Sequence, residues 1–111
     1  MEIRENEKVC IFAPLSGKLD RNETDRLVRE IMVEPRQIGI DLKYVYDCTI
    51  DFIEGLKQSA KVKKLAIFNI PSDIFVIFNV MKLDRVIDLY VSEADFEYQA
   101  RRLVSRNFAL V

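Results

Sequence analysis

The chain has 111 residues, of which 50% are hydrophobic and 32% are charged, and its 17 basic and 18 acidic side chains leave a net charge of −1. This size fits one domain, and we predict a single domain over residues 1–111. A near-neutral balance argues against a nucleic acid or an anionic membrane surface as the partner.

Histidine is absent, so the chain lacks the commonest general base and the commonest transition-metal ligand. The sequence also has no glycine-rich phosphate loop, nucleophile elbow or paired-cysteine metal spacing. We therefore predict a protein that is not an enzyme and that needs no cofactor or metal.

The first residues begin with charged side chains and have too short an apolar run for a signal peptide. No stretch approaches the ~18 apolar residues that a membrane helix needs. The two cysteines, Cys10 and Cys48, are too few for a disulfide framework. Together these features predict a location in the reducing cytoplasm.

The first half of the chain alternates between strand-like and helix-like hydrophobic periods. In chain order the predicted elements are an edge strand Met1–Arg4, a strand Val9–Pro14, a helix Arg21–Met32, a strand Gln37–Leu42 and a helix Thr49–Ser59. Asn22 is the predicted cap of the first helix, and Pro35 ends that helix.

The second half continues the same alternation. The predicted elements are a strand Lys64–Ile70, a helix Asp73–Met81 with Ser72 as its cap, a strand Val86–Val91, and a last helix opened by Ser92 and Glu93. The apolar stripe of that last helix is predicted to be Phe96, Ala100, Leu103 and Val104.

This alternation predicts an α/β fold, because helical crossovers join parallel strands. We expect a central mixed, mostly parallel sheet of four or five strands with about four helices. The residues expected to be buried in it are Ile38, Ile40, Leu65, Ile67 and Ile87.

Three motifs stand in order along these elements. In Asp41–Leu56 a strand ends in Asp-Leu, and Asp47-Cys48-Thr49 then leads into a helix. Gly17-Lys18-Leu19-Asp20 is an earlier turn, and Lys82–Ile87 precedes the last strand. From about Val9 to Phe96, this order resembles the STAS family of anti-sigma factor antagonist domains.

The resemblance implies a STAS-like fold and a non-catalytic regulatory domain that binds an anti-sigma factor or a related kinase-like protein. The docking residues it implies are Asp20, Asp47, Cys48, Thr49 and Ile50. In the family, a serine that follows the aspartate is phosphorylated by the partner kinase. Here that position is Cys48, which lacks the hydroxyl, so Thr49 is left as the nearby phosphate acceptor, and Ile50 replaces the family glycine.

Two other functions remain open from the residues alone. Cys48 lies at a predicted helix start, where a depressed thiol pKa would suit a redox sensor, although Asp47 and Asp51 disfavour a thiolate. A small-molecule-binding domain would require a sizeable pocket. Tyr44 and Tyr46 either line a recognition surface or cover the edge of the core.

The helix Asp73–Met81 is apolar almost all round. Ile74, Ile77, Phe78 and Met81 share one face at 100° per residue and are expected to pack on the sheet. Phe75 and Val76 lie on the opposite face, where a surface helix is usually polar. Either the segment Phe108–Val111 covers them, or they belong to a contact with a partner or with a second copy of the chain.

Overall fold

A computed structural model describes residues 1–98 and the backbone of residues 102–103. Within these residues the strands are β1 (Glu2–Glu5), β2 (Val9–Ala13), β3 (Lys18–Leu19), β4 (Gln37–Asp41), β5 (Asp47–Cys48), β6 (Leu65–Phe68), β7 (Asp88–Tyr90) and β8 (Arg102–Leu103). The helices are α1 (Arg21–Val33), α2 (Ile50–Ser59), α3 (Ser72–Val80) and α4 (Glu93–Glu97), with a 3-10 turn at Leu83–Arg85.

The main sheet has the strand order β1-β2-β4-β6-β7-β8 over the described residues. Its four inner strands are parallel, because helices return the chain to the same end of the sheet each time. Both edge strands, β1 and β8, run antiparallel to their neighbours. The sheet is therefore mixed rather than mostly parallel, and its six strands exceed the four or five that we predicted.

The two faces of this sheet carry cores of different size. The larger core joins the sheet to α1, α2 and α3 and includes Ile38, Ile40, Leu65, Ile67 and Ile87, so the prediction that these five are buried is confirmed. The smaller core lies under α4, where Phe96 stacks on Phe68 with ring centroids 5.2 Å apart. The described residues fold around the sheet with a radius of gyration of 12.9 Å.

Two of the predicted helix caps are wrong. Asp20, not Asn22, caps α1, because the Asp20 side chain accepts a hydrogen bond from the Glu23 backbone N–H at 3.0 Å. α3 begins after Pro71, and the Ser72 side chain makes no capping bond because Ser72 is already the first helical residue. Ser92 does cap α4, with its hydroxyl accepting from the Asp95 N–H at 3.2 Å.

The last helix is shorter than its apolar stripe predicted. α4 ends at Glu97, and Leu103 lies in β8, paired with β7. Ala100 and Val104 lie outside the described residues. At Leu103 the hydrophobic period predicted a helix, but the backbone pairs with the edge of the sheet as a strand.

The apolar helix α3 is only partly exposed on its outer side. Ile74 and Phe78 are fully buried against the sheet, and Ile77 and Met81 are half-buried, as predicted. Phe75 is also buried in the larger core, whereas Val76 is exposed, so the two residues that the helical period places on one face have different environments. A bulky ring on a small domain can reach the core from the flank of a helix. The segment Phe108–Val111 lies outside the described residues.

Candidate functional site

A short second sheet brings together two motifs that lie 30 residues apart in the sequence. β3 and β5 pair in parallel, with Lys18 opposite Asp47 and Leu19 opposite Cys48. The Thr49 backbone N–H then donates to the Leu19 carbonyl oxygen at 3.1 Å. The turn Gly17–Asp20 and the segment Asp47–Thr49 are therefore held side by side by backbone hydrogen bonds.

Each motif ends at a capped helix start. Asp20 caps α1, and the Thr49 hydroxyl caps α2 by accepting from the Phe52 N–H at 3.4 Å. α1 and α2 pack closely at Gly55, where an added Cβ would lie only 2.9 Å from the Thr24 methyl carbon. The two helices and the β3–β5 pair together fix both N-termini in the same part of the surface.

Tyr46 adds an aromatic ring to this part of the surface. Its backbone N–H donates to the Gly17 carbonyl oxygen at 2.8 Å, and its ring lies so close to Gly17 that an added Cβ would be 2.2 Å from Tyr46 Cε1. The ring is nevertheless 73% exposed. Tyr46 is therefore a fixed surface aromatic rather than a cover for the core.

We call the group Asp20, Tyr46, Asp47, Cys48, Thr49 and Ile50 the docking surface, after the role that the sequence predicts for most of its members. Ile50 is 58% exposed in the first turn of α2, and Tyr44 is also exposed, with the Lys43 ammonium 5.1 Å from its ring centroid. Asp20 and Asp47 are exposed carboxylates at its rim. The surface combines exposed apolar side chains with charge, which suits recognition of a protein.

The thiol of Cys48 is in a poor environment for redox chemistry. Burial, and then the nearby Asp47 carboxylate, raise the pKa of Cys48 to about 11 from an ordinary value of 9.0. The thiolate is the reactive form, so the side chain is almost wholly protonated and inert at neutral pH. Its half-buried sulfur instead packs against the larger core.

The Thr49 hydroxyl is already engaged within the fold. Besides capping α2, it donates to the Leu19 carbonyl oxygen at 3.3 Å. A kinase acting on Thr49 would have to break both contacts before the oxygen could attack a phosphoryl group. This geometry weighs against Thr49 as a phosphate acceptor, even though it is the hydroxyl nearest to Cys48.

Asp41, which the sequence did not mark as a site residue, organises the segment that carries the docking surface. Its side chain is fully buried at the end of β4. One oxygen accepts from the Lys43 N–H at 3.0 Å and from Asn69 Nδ2 at 3.1 Å, and the other accepts from Arg4 Nη2 at 3.2 Å. A carboxylate at the end of an apolar strand is the sequence signal that could have marked Asp41. The sequence does not reveal its partners, because Arg4 lies in β1 and Asn69 lies in the turn after β6.

Val76 is exposed on α3, whereas Phe75 is buried, so the two residues do not form one patch. The remaining sequence-predicted site residues, Asp20 and Asp47–Ile50, do lie together. Of the predicted partner-binding residues, the structure thus brings five into one surface and places Phe75 in the core.

Two other features of the described residues have the groups or the space for a ligand. Ligand atoms of Glu5, Cys10 and Glu34 lie within 4.8 Å of one another, but Arg36 already pairs with both carboxylates, at 2.9 Å to Glu5 and 2.7 Å to Glu34. Burial raises the pKa of Cys10 to about 11, which opposes metal binding. A cleft of about 630 Å³ beside α4 is lined mainly by charged side chains, together with Asn6, Val9 and Ile11, and by none of the docking-surface residues.

No protein-family model matches this chain, and no curated protein matches it. Among the described residues, no helix combines the length and the apolar character needed to cross a membrane.

Proposed function

We propose that this protein is a non-catalytic regulatory domain that binds a partner protein through the docking surface. Its partner class is an anti-sigma factor or a related kinase-like protein, and its fold is of the STAS type. The usual phosphoserine switch is absent, because a thiol replaces the serine hydroxyl at position 48.

One observation carries this proposal. Two of the three motifs on which the STAS resemblance rests pair through β3 and β5, and Tyr46 and Ile50 are exposed beside this pairing. Within residues 1–98, the packing does not require either side chain to be exposed. Burying such side chains against a partner supplies binding energy, and a few residues of this kind dominate most interfaces.

Ile50→Glu tests the proposal, with Val33→Glu as its matched control. Both side chains are exposed, at 58% and 77%, so both variants should fold normally, and Val33 lies at the far end of α1 from the docking surface. The wild-type protein is used to capture its partner from native cytoplasm, and the partner is then purified for titration calorimetry.

We expect Ile50→Glu to weaken binding by at least about tenfold, because it places a charge in a desolvated contact. Val33→Glu should bind like the wild type. Equal affinity of the two variants would disprove the docking surface. A partner of another class that still depends on Ile50 would overturn the anti-sigma-factor assignment alone.

A further inference from the structure

The two ends of α2 carry opposite charge. Around its start, Asp47, Asp51 and Glu54 are exposed carboxylates. Beyond its end, Lys61 and Lys64 are exposed ammonium groups, and the sequence from residue 55 to residue 72 contains four lysines and no carboxylate. The two ends of this helix therefore differ in the sign of the charge that its own residues and the turn after it present.

The basic end also exposes apolar side chains. Val62 is 64% exposed and Val86 is 53% exposed, and both line a cleft of about 380 Å³ together with Lys61, Lys64 and Asp88. We call Lys61, Val62, Lys64 and Val86 the basic cleft. Lys63 also lines the cleft, but we leave it out of this group because its ammonium already donates to the Glu34 carbonyl oxygen at 3.0 Å.

The basic cleft and the docking surface have matching composition. Each pairs exposed apolar side chains with charge. The docking surface and Asp51 carry three carboxylates near Lys18 and Lys43, and the basic cleft carries two ammonium groups beside Asp88, so the two net charges are opposite in sign. Opposite potentials steer two surfaces together, and apolar contact at the centre then supplies affinity. Because the two surfaces lie at opposite ends of α2, they cannot meet within one copy of the chain.

We infer that the basic cleft of one copy binds the docking surface of a second copy, head to tail. In this contact Lys61 and Lys64 face Asp47 and Asp51, and Val62 and Val86 face Tyr46 and Ile50. The inference rests on the proposed function, because it assigns a second occupant to the same docking surface. Self-association then competes with the partner, so the concentration of the protein sets how much docking surface is free.

The apolar side chains favour a second copy over a polyanion as the occupant. A nucleic acid would attract the lysines but would leave Val62 and Val86 without an apolar partner. A head-to-tail contact is heterologous, so a complex of two copies still has one free docking surface and one free basic cleft. Further copies can add at either place, and short open chains of copies form.

Two neutralised variants test the contact. Lys61→Gln with Lys64→Gln removes the positive charge of the basic cleft and leaves the docking surface intact. Asp47→Asn with Asp51→Asn removes the two carboxylates that the contact requires at the start of α2 and leaves the basic cleft intact. Arg26→Gln with Arg29→Gln is the control, because it removes two exposed positive charges from α1 instead. Circular dichroism confirms that each variant is folded, and sedimentation velocity follows a concentration series at low and high salt.

We expect the wild type and the arginine control to associate with rising concentration at low salt and to dissociate at high salt, where charges are screened. Each neutralised variant should associate at least about tenfold more weakly. An equal mixture of the two should form complexes that stop at two copies, because each supplies the end that the other lacks.

A wild type that stays monomeric throughout the series would overturn the inference, as would association that the two lysine substitutions leave unchanged. Binding of the lysine variant to the partner separates this result from the proposed function. If the partner still binds through Ile50 while the wild type is monomeric, only the head-to-tail contact is wrong.

Discussion

Asp41 and Asp47 lie six residues apart and have opposite fates. Asp41 is fully buried at the end of β4 and accepts hydrogen bonds from Arg4, Lys43 and Asn69. Asp47 is exposed in β5, and its backbone rather than its side chain holds it in place. The first carboxylate is part of the hydrogen-bond network of the fold, and the second is exposed to solvent.

The difference shows how to separate structural from recognition groups within one short segment. A buried carboxylate is tolerated only when its oxygens are satisfied, so Asp41 is committed to its neighbours. Tyr46 and Asp47 instead have their backbone held by Gly17 and β3, and both residues are exposed. A rigid backbone with exposed side chains reduces the entropy lost on binding.

The difference between Asp41 and Asp47 is tested most directly by removing each carboxylate in turn. Asp41→Ala removes the acceptor of the Lys43 N–H and of Asn69 Nδ2 and leaves Arg4 with Glu2 and Glu93 alone, and we expect it to lower the free energy of unfolding by about 2–3 kcal/mol. Asp47→Ala should change it by less than about 0.5 kcal/mol, as is usual for an exposed side chain. Urea denaturation of the three proteins measures both values.

Similar losses for both alanine variants would contradict the distinction between a structural and an available carboxylate. Asp41→Asn refines the result, because it keeps the shape of the side chain and removes the charge that faces Arg4.

Thr49 lies between the two behaviours, since it belongs to the docking surface and also caps α2. Thr49→Ala should destabilise the protein by about 1 kcal/mol, the usual cost of losing a helix N-cap. Thr49→Ser keeps the hydroxyl and should stay close to the wild type. Thermal melting distinguishes them, and an unchanged melting temperature for Thr49→Ala would show that the capping bond is not significant.

The smallest effect concerns Cys48 and its thiol. With a pKa of about 11, only about one thiol in ten thousand is ionised at pH 7, so alkylation under native conditions should be slow. The rate should rise about tenfold per pH unit until it levels off near pH 11. Comparison with Cys48→Ser assigns the labelling to this residue, and a plateau near neutral pH would favour the redox-sensor hypothesis.

The same pKa gives a dependence of stability on pH. The folded thiol ionises at about 11 and an ordinary thiol at 9.0, so the folded state holds its proton more tightly. The contribution of the protonated Cys48 thiol to the free energy of unfolding is therefore complete below about pH 9, and it is lost as the pH rises through about 11. Chemical denaturation at these pH values should show a larger loss for the wild type than for Cys48→Ser.

The regular elements were largely predictable from the sequence. The hydrophobic periods located β2, β4, β6 and three of the helices to within a few residues, because strands buried on both faces are continuous apolar runs. The edge strand β1 was also predicted, from the turn at Asn6 and Glu7. Helix boundaries were less reliable, as the caps at Asp20 and Pro71 show.

The sequence by itself determined the α/β alternation, the buried strands and the segment Asp47–Ile50 as a place of interest, because these depend on local hydrophobic pattern and residue type. Only the tertiary structure decided that Gly17–Asp20 pairs with Asp47–Thr49, that Phe75 is buried while Val76 is exposed, and that Arg4 reaches Asp41 from β1. Each of these facts joins residues that are distant in the chain or depends on the flank of a helix, and local periodicity carries no information about such contacts.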